Sequence, residues 1–322
     1  MVRRGSNVLA DRLLGSAVIA GRRSRSVVVV LAAIGASLLL IVAATEWNHF
    51  NDEYAYWLAG ARLAAGEPLY DLAAAPNTPF AYWYPPPLAQ VLAPLTSFVA
   101  ADAFSVAWTI LLLVCLWWLA GRDVLIALAL VAFLPVAIEL RVRNVHLLIA
   151  VLVVLALRRS WAFWVPAAAL KITPVLGVAY LAAAGRWRDA ANVSVLGLVV
   201  LGLSVLIGPD AWREFLDVVG VRAATDGGSL LPIPFALRFG AGAALAVIAG
   251  LIAAGRVGAG RLPRFAGEAL LVIGLTIANP TLWMTAFSLL VAVVPLWRTR
   301  HDAPGRISAE QAPVSAEQAP AN

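Results

Sequence analysis

Long apolar runs recur along the chain, and short polar or basic segments separate them. Each run approaches the roughly 20 residues that a helix needs to cross a bilayer. Backbone groups in lipid must pair within their own segment, so the runs predict helices. We expect an all-α membrane bundle with eight full spans, at residues 27–44, 103–120, 123–139, 145–157, 191–207, 235–254, 266–279 and 283–297.

One apolar stretch departs from this pattern. Residues 161–184 contain Pro166, Lys171 and Pro174, and arginines stand just outside both of its ends. A single crossing would place those two ends on opposite sides of the membrane. Polar groups and prolines are tolerated at membrane depth where protein or a cavity surrounds them. We therefore predict a broken, re-entrant hairpin with Lys171 near its outer tip.

Composition supports a membrane protein. Hydrophobic residues make up 62% of the 322 residues and charged residues 13%, against about 45–50% and 25% in soluble domains. The net charge of +6 comes from basic residues dispersed among short loops. These are topology signals, so nucleic acid is not an expected partner.

The charge distribution sets an orientation. Residues 1–26 carry six arginines against one acid, which predicts a cytoplasmic segment. The first loop, residues 46–100, holds five acids against Arg62 and is predicted to be extracytoplasmic. We expect a multi-pass cell-membrane protein whose membrane domain spans 27–297, with a disordered tail at 298–322 and both termini in the cytoplasm.

The first loop also carries the most informative sequence pattern. A short interfacial helix is expected over 52–65, and the three prolines at 85–87 stop any helix before them. Motif residues in this loop are Asp52, Tyr56, Ala59, Gly66, Leu69, Tyr70 and Asp71. Further short motifs follow in order: YPPP at 84–87, RNVHLL at 143–148, LKITP at 170–174, GRWR at 185–188, GGSL at 227–230 with Arg238, and NPTLW at 279–283.

Together, these motifs resemble glycosyltransferase family 87, over roughly residues 45–297. The resemblance implies a GT-C-like fold and an activity similar to that of polyprenol-phosphate-mannose-dependent α-1,2-mannosyltransferases. It also implies a polyprenyl-phosphate-sugar donor and a lipid or glycolipid acceptor. The chain departs from the family pattern at Arg143, where glycine is usual, and at Met284 and Thr285, where histidines are common.

This chemistry needs a carboxylate to accept the proton of the incoming hydroxyl, and cations near the departing phosphate. Asp52 is the candidate base, although an acid in such a loop is often simply solvated. Glu53 ranks second, since one residue along a helix turns the side chain about 100° away. For Asp71 we favour a turn or helix-capping role.

Four basic residues are candidate donor-phosphate ligands: Lys171, Arg141, Arg143 and His146. Lys171 is the only lysine, and a charge within an apolar stretch is costly unless a partner receives it. A structural ion pair is the alternative for Lys171, and pairing with Glu139 is the alternative for the two arginines. His146 could instead be an interfacial hydrogen-bonding residue.

Further residues are possible substrate contacts: Glu53, Tyr56, Arg62, Tyr84, Asn144 and Arg238. The aromatic residues of the first loop could equally anchor the membrane interface, and Arg238 could anchor a helix end. No cofactor is predicted. A divalent metal held by Asp52 and Glu53 is the alternative, although two adjacent carboxylates are a poor metal signature. The functional alternatives to a transferase are a transporter or lipid flippase and a non-catalytic subunit on the same scaffold.

Overall fold

The computed structural model describes residues 6–46, 51–71, 80–225, 229–230, 232–258 and 262–301. These residues form helices and connecting turns without a β-strand, which confirms the all-α prediction for this part of the chain. The α-helices are α1 (Ser6–Glu46), α2 (Asp52–Ala65), α3 (Pro86–Thr96), α4 (Ala101–Leu119), α5 (Val124–Val131), α6 (Leu134–Val142), α7 (His146–Arg158), α8 (Trp164–Leu170), α9 (Leu176–Ala183), α10 (Trp187–Ile207), α11 (Pro209–Thr225), α12 (Phe235–Ala253), α13 (Arg264–Ile277) and α14 (Val293–His301). Short 3₁₀ helices cover Trp161–Phe163, Thr173–Val175 and Met284–Ala292.

Four segments in the described part are long and apolar enough to cross a membrane: Arg25–Thr45 within α1, and the helices α4, α10 and α12. A fifth crossing is possible if α5 and α6 together form one broken span. The other apolar helices, including α7 and the segments on either side of Lys171, are shorter. The protein is thus a helical membrane protein, while eight full spans remain a prediction.

The run predicted as one span at 123–139 is divided. Helices α5 and α6 meet at an angle of 89°, and Pro135 lies in the first turn of α6. Proline cannot donate the backbone hydrogen bond that would continue α5 into α6, so the chain turns here. This bend brings the C-terminal end of α6 towards the first loop, where Asn51 donates from its side chain to the Arg141 carbonyl at 3.2 Å.

The first loop contains two helices. Helix α2 covers the residues expected to be helical, and it ends at Gly66, whose φ of +72° is left-handed. Helix α3 begins at Pro86, where the missing N–H of proline costs nothing because the first helical N–H groups have no intrahelical acceptor. Helix α11 lies between the two apolar runs at 191–207 and 235–254.

The helical structure is interrupted at Lys171. Helix α8 ends at Leu170, Lys171 has extended backbone angles, and a 3₁₀ turn containing Pro174 leads into α9. The membrane depth of this break stays a prediction. Gly227 and Gly228 of the GGSL motif and residues 302–322 of the predicted disordered tail lie outside the described residues.

Helices α12 and α13 pack through glycines. A Cβ placed on Gly242 would lie 2.6 Å from the Gly274 carbonyl oxygen and 2.7 Å from the Ala278 Cβ. On the same helix, a Cβ on Gly240 would meet nothing within 4 Å. The backbones of α12 and α13 therefore approach each other closely at Gly242.

A buried ion pair joins α7 to α13. Arg158, at the C-terminal end of α7, donates to both carboxylate oxygens of the fully buried Glu268, at 2.7 and 2.6 Å. Arg264 approaches the same carboxylate at 3.1 Å. These contacts lie at the end of α7 opposite to His146.

Candidate active site

Asp52 lies in the first turn of α2, where the helix dipole favours a negative charge. The side-chain amide of Asn144, between α6 and α7, donates to its Oδ2 atom. The surrounding protein desolvates the carboxylate and raises the pKa of Asp52 to about 6. The Asn144 hydrogen bond and the charge of Lys171 lower this pKa, whereas the charges of Glu139 and Glu53 raise it.

Glu53 faces a different set of partners. It is fully buried and pairs with the Arg143 guanidinium at 2.5 Å. Its Oε1 also accepts from the Ser105 hydroxyl at 2.8 Å, and its Oε2 accepts from the Asn51 N–H at 3.1 Å. The contacts of Glu53 are therefore structural ones, and they connect α2 to α4 and α6.

Arg143 combines this ion pair with an unusual backbone conformation. Its φ of +54° is left-handed and ends α6, a geometry that costs an ordinary residue about 1–2 kcal/mol and glycine nothing. The Trp108 indole N–H donates to the Arg143 carbonyl at 2.9 Å. A glycine at this position would suit the backbone, whereas the arginine side chain supplies the partner of Glu53.

Behind Asp52, three ionisable side chains form a chain of contacts. Glu139 is fully buried, and its Oε2 lies 3.1 Å from the Nδ1 of His146. The Nε2 of His146 lies 2.7 Å from the Lys171 ammonium. The same ammonium lies 5.5 Å from the centroid of the Tyr84 ring. The break at Lys171 thus brings the lysine of the LKITP motif to the histidine of the RNVHLL motif.

The tyrosines of the first loop are held by one another. The Tyr56 hydroxyl donates to the Tyr84 hydroxyl at 3.0 Å, and the Tyr70 hydroxyl donates to the Tyr84 carbonyl at 2.6 Å. Tyr82 donates in the same way to the Pro85 carbonyl at 2.9 Å. Burial raises the pKa of Tyr56 well above its usual value. These phenols are accordingly neutral, and they fix the YPPP segment beside Lys171.

The three remaining arginines among the predicted site residues occupy different positions. Arg62 lies in the last turn of α2, ten residues and so about 15 Å along the helix from Asp52. Arg141 is exposed at the end of α6. Arg238 is buried and donates to the backbone carbonyls of Ile233, Asn279 and Pro280. It therefore clamps the start of α12 to the NPTLW segment.

Sequence reasoning gave Glu139 only one role, as an alternative partner for Arg141 and Arg143. In the structure Glu139 contacts His146 instead, and Arg143 pairs with Glu53. A carboxylate within an apolar run, seven residues before a histidine, is the signal that could have indicated this contact. Among the described residues, no group of three or more His, Cys, Asp or Glu side chains could hold a metal ion.

These features define a helical membrane protein with a cluster of buried charged side chains beside a partly buried carboxylate. The family model of glycosyltransferase family 87 matches residues 82–310, more than half of the chain. The chain therefore belongs to glycosyltransferase family 87, which confirms the family indicated by the motifs and makes the protein a membrane glycosyltransferase.

The comparison with curated proteins gives no significant match, and neither does the comparison with solved structures. The family match includes Asn144, His146 and Lys171, whereas Asp52 precedes it. Asp52 is nevertheless joined to the matched region by its contact with Asn144.

Proposed function

We propose that this chain transfers mannose from a polyprenyl-phosphate donor to a lipid or glycolipid acceptor on the extracytoplasmic face of the cell membrane. The observation that carries the proposal is Asp52: a carboxylate with a pKa of about 6, held by Asn144 within the electrostatic reach of the only lysine.

Asp52 acts as the general base. A base is most effective when its pKa lies near the working pH, and burial moves Asp52 into that range. Among the described residues, Asn144 engages the Oδ2 atom of Asp52, which orients the carboxylate and leaves Oδ1 for the acceptor. As the acceptor oxygen attacks the anomeric carbon, its proton passes to Asp52 and the bond from that carbon to the phosphate oxygen breaks.

The departing polyprenyl phosphate is a stabilised anion, so it needs a cation more than a proton donor. Lys171 supplies that cation, since its ammonium is held between His146 and the Tyr84 ring. Arg141, exposed at the end of α6, is a second candidate for the donor phosphate. Arg143 is not included because its guanidinium is paired with Glu53. Attack opposite the leaving phosphate inverts the anomeric centre, so a β-linked donor gives an α-linked product.

The Asp52→Asn variant tests the base. Asparagine keeps the size of the side chain but cannot accept a proton, so transfer should fall by about 10²–10⁴-fold while donor binding persists. Asp102→Asn is a matched control, since Asp102 is also an acid in the first turn of a helix but is exposed. Its activity should equal that of the parent protein.

The assay uses purified protein in lipid, radiolabelled polyprenyl-phosphate-mannose and a membrane glycolipid extract, with donor binding measured separately. Full activity of Asp52→Asn would refute the role of Asp52 as base. If the parent protein forms no product with mannose, arabinose or glucose donors, the transporter and non-catalytic alternatives become the better explanations.

A further inference from the structure

Glu139 has two sets of contacts, and both concern the start of α7. Its Oε1 accepts the backbone N–H of His146 at 2.6 Å and that of Leu147 at 3.3 Å. These are the first two residues of α7, and the preceding residue, Val145, provides no side-chain cap. The first N–H groups of a helix lack intrahelical acceptors, so Glu139 caps α7 from the end of α6.

The second oxygen of Glu139 fixes the imidazole of His146. A carboxylate only accepts hydrogen bonds, so the Nδ1 atom facing Glu139 Oε2 must carry the hydrogen. In a neutral imidazole the Nε2 atom then holds a lone pair. That lone pair faces the Lys171 Nζ at 2.7 Å, where the ammonium donates to it. Both His146 and Glu139 are almost fully buried, so their arrangement is shielded from water.

We propose that Glu139 is a positioning residue that acts through His146 to orient the Lys171 ammonium towards the donor phosphate. The lysine side chain has four flexible carbons, and its ammonium would otherwise sample many directions. Here the His146 lone pair fixes one N–H, and the Tyr84 ring lies on another side. A fixed cation avoids the entropy cost of ordering the lysine when substrate binds. The substrate part of this inference rests on the proposed function.

The other charged groups near this chain of contacts have assigned partners. Asp52 accepts from Asn144, and Glu53 is paired with Arg143. The negative charge of Glu139 and the positive charge of Lys171 are thus connected through a neutral ring. This arrangement gives a definite prediction for the protons: hydrogen on Nδ1, lone pair on Nε2, and ammonium on Lys171.

Nitrogen-15 NMR of labelled histidine tests these protons directly. The chain has three histidines, so His49→Gln with His301→Gln leaves His146 as the only signal. In this variant, with Glu139 intact, the His146 ring should be neutral with hydrogen on Nδ1. A doubly protonated ring, or hydrogen on Nε2, would overturn the proposal. This readout requires neither turnover nor a folded Glu139 variant, so it stands even if the proposed function fails.

Glu139→Gln changes the same signal in a predictable way. The amide oxygen should stay with the two backbone N–H donors of α7, which places the amide NH₂ against Nδ1. Nδ1 then becomes an acceptor, and Nε2–H faces the Lys171 ammonium, donor against donor. The NMR signal should therefore switch to the other tautomer. An unchanged tautomer would overturn the positioning role.

Kinetics then test whether the positioning matters for the donor. Glu139→Gln should raise the KM and Kd for polyprenyl-phosphate-mannose by about 10–100-fold, as loss of a supporting hydrogen-bond partner does at metal sites. Glu268→Gln is the matched control. Glu268, on α13, is equally buried, but it pairs with Arg158 at the end of α7 opposite to His146. The control variant should lower thermal stability without changing donor Kd. An equal effect of both variants on donor Kd would identify Glu139 as merely structural.

A double-mutant cycle with Lys171→Met completes the test. If Glu139 acts through Lys171, Glu139→Gln should have no further effect on donor affinity once the ammonium is gone. Independent, additive losses of affinity in the double variant would overturn the proposal. The cycle measures donor binding, so it distinguishes a failure of this inference from a failure of the transferase assignment.

Discussion

The left-handed backbone at Arg143 and its ion pair with Glu53 make opposite demands on this position, and substitution can separate them. Arg143→Ala removes the partner of a fully buried carboxylate and keeps a side chain on a left-handed residue. Arg143→Gly removes the same partner but relieves the backbone. The two variants therefore differ in the backbone contribution alone.

The magnitudes follow from burial. The side chains of Arg143 and Glu53 are 6% and 0% exposed, and removing one partner of such a pair costs about 3–5 kcal/mol. Left-handed backbone costs a non-glycine residue about 1–2 kcal/mol. We expect Arg143→Ala to lose about 3–5 kcal/mol, and Arg143→Gly to lose about 1 kcal/mol less. Adding Glu53→Gln to Arg143→Gly should recover part of the loss, because no charge is then left unpaired.

The assay is thermal unfolding of the purified variants in one detergent, followed by intrinsic tryptophan fluorescence. At roughly 2 °C per kcal/mol for a chain of this size, Arg143→Ala should melt about 6–10 °C below the parent. Arg143→Gly should melt about 2 °C above Arg143→Ala, with the double variant higher again. If Arg143→Gly is no more stable than Arg143→Ala, the left-handed backbone at residue 143 does not strain a non-glycine residue. If the double variant melts at the same temperature as Arg143→Gly, the Glu53 carboxylate was not left as an unpaired buried charge.

Three further predictions concern separate features. Because burial raises the pKa of Asp52 to about 6, its base form is lost as the pH falls below 6; initial transfer rates should drop about tenfold per pH unit there and level off above it. Gly242→Ala should destabilise the α12–α13 contact by about 1–3 kcal/mol through overpacking, whereas Gly240→Ala, with open space around its Cβ, should not lower the melting temperature. Gly66→Ala meets no neighbour within 4 Å but has a φ of +72°, so it should cost about 1 kcal/mol in a melting experiment, from the backbone alone.

The elements predictable from sequence are those set by local patterns. The apolar runs predicted the helical membrane class, and the short helix expected over residues 52–65 is α2. The extended backbone at Lys171 occurs in a stretch where prolines and a charge interrupt the apolar run. The sharp bend between α5 and α6 was missed because the residues around Pro135 are as apolar as those of a continuous span.

Partners across the bundle were harder to predict, for a physical reason. Glu139 is the acid nearest to Arg143 along the chain, and local spacing favoured that pair. The actual partner, Glu53, lies 90 residues away, and the packing of α4 against both α2 and α6 brings it close. Which acid meets which base is decided by helix rotation and tilt, and the sequence pattern of apolar runs determines neither.

The candidate site depends on residues 139–146, which run from the last turns of α6 to the start of α7. These eight residues supply Glu139 to His146, Arg143 to Glu53, and Asn144 to Asp52. These contacts share one short backbone, whose direction is set by the left-handed residue at 143.

A change in that backbone would consequently move the partner of Asp52 and the support of Lys171 together. Glycine at 143 would adopt the left-handed backbone without strain, whereas the buried arginine side chain requires an acidic partner. Arg143 and Glu53 therefore form a matched pair within this chain. Exchanging Arg143 for glycine should preserve the geometry around Asp52 only when Glu53 is neutralised at the same time.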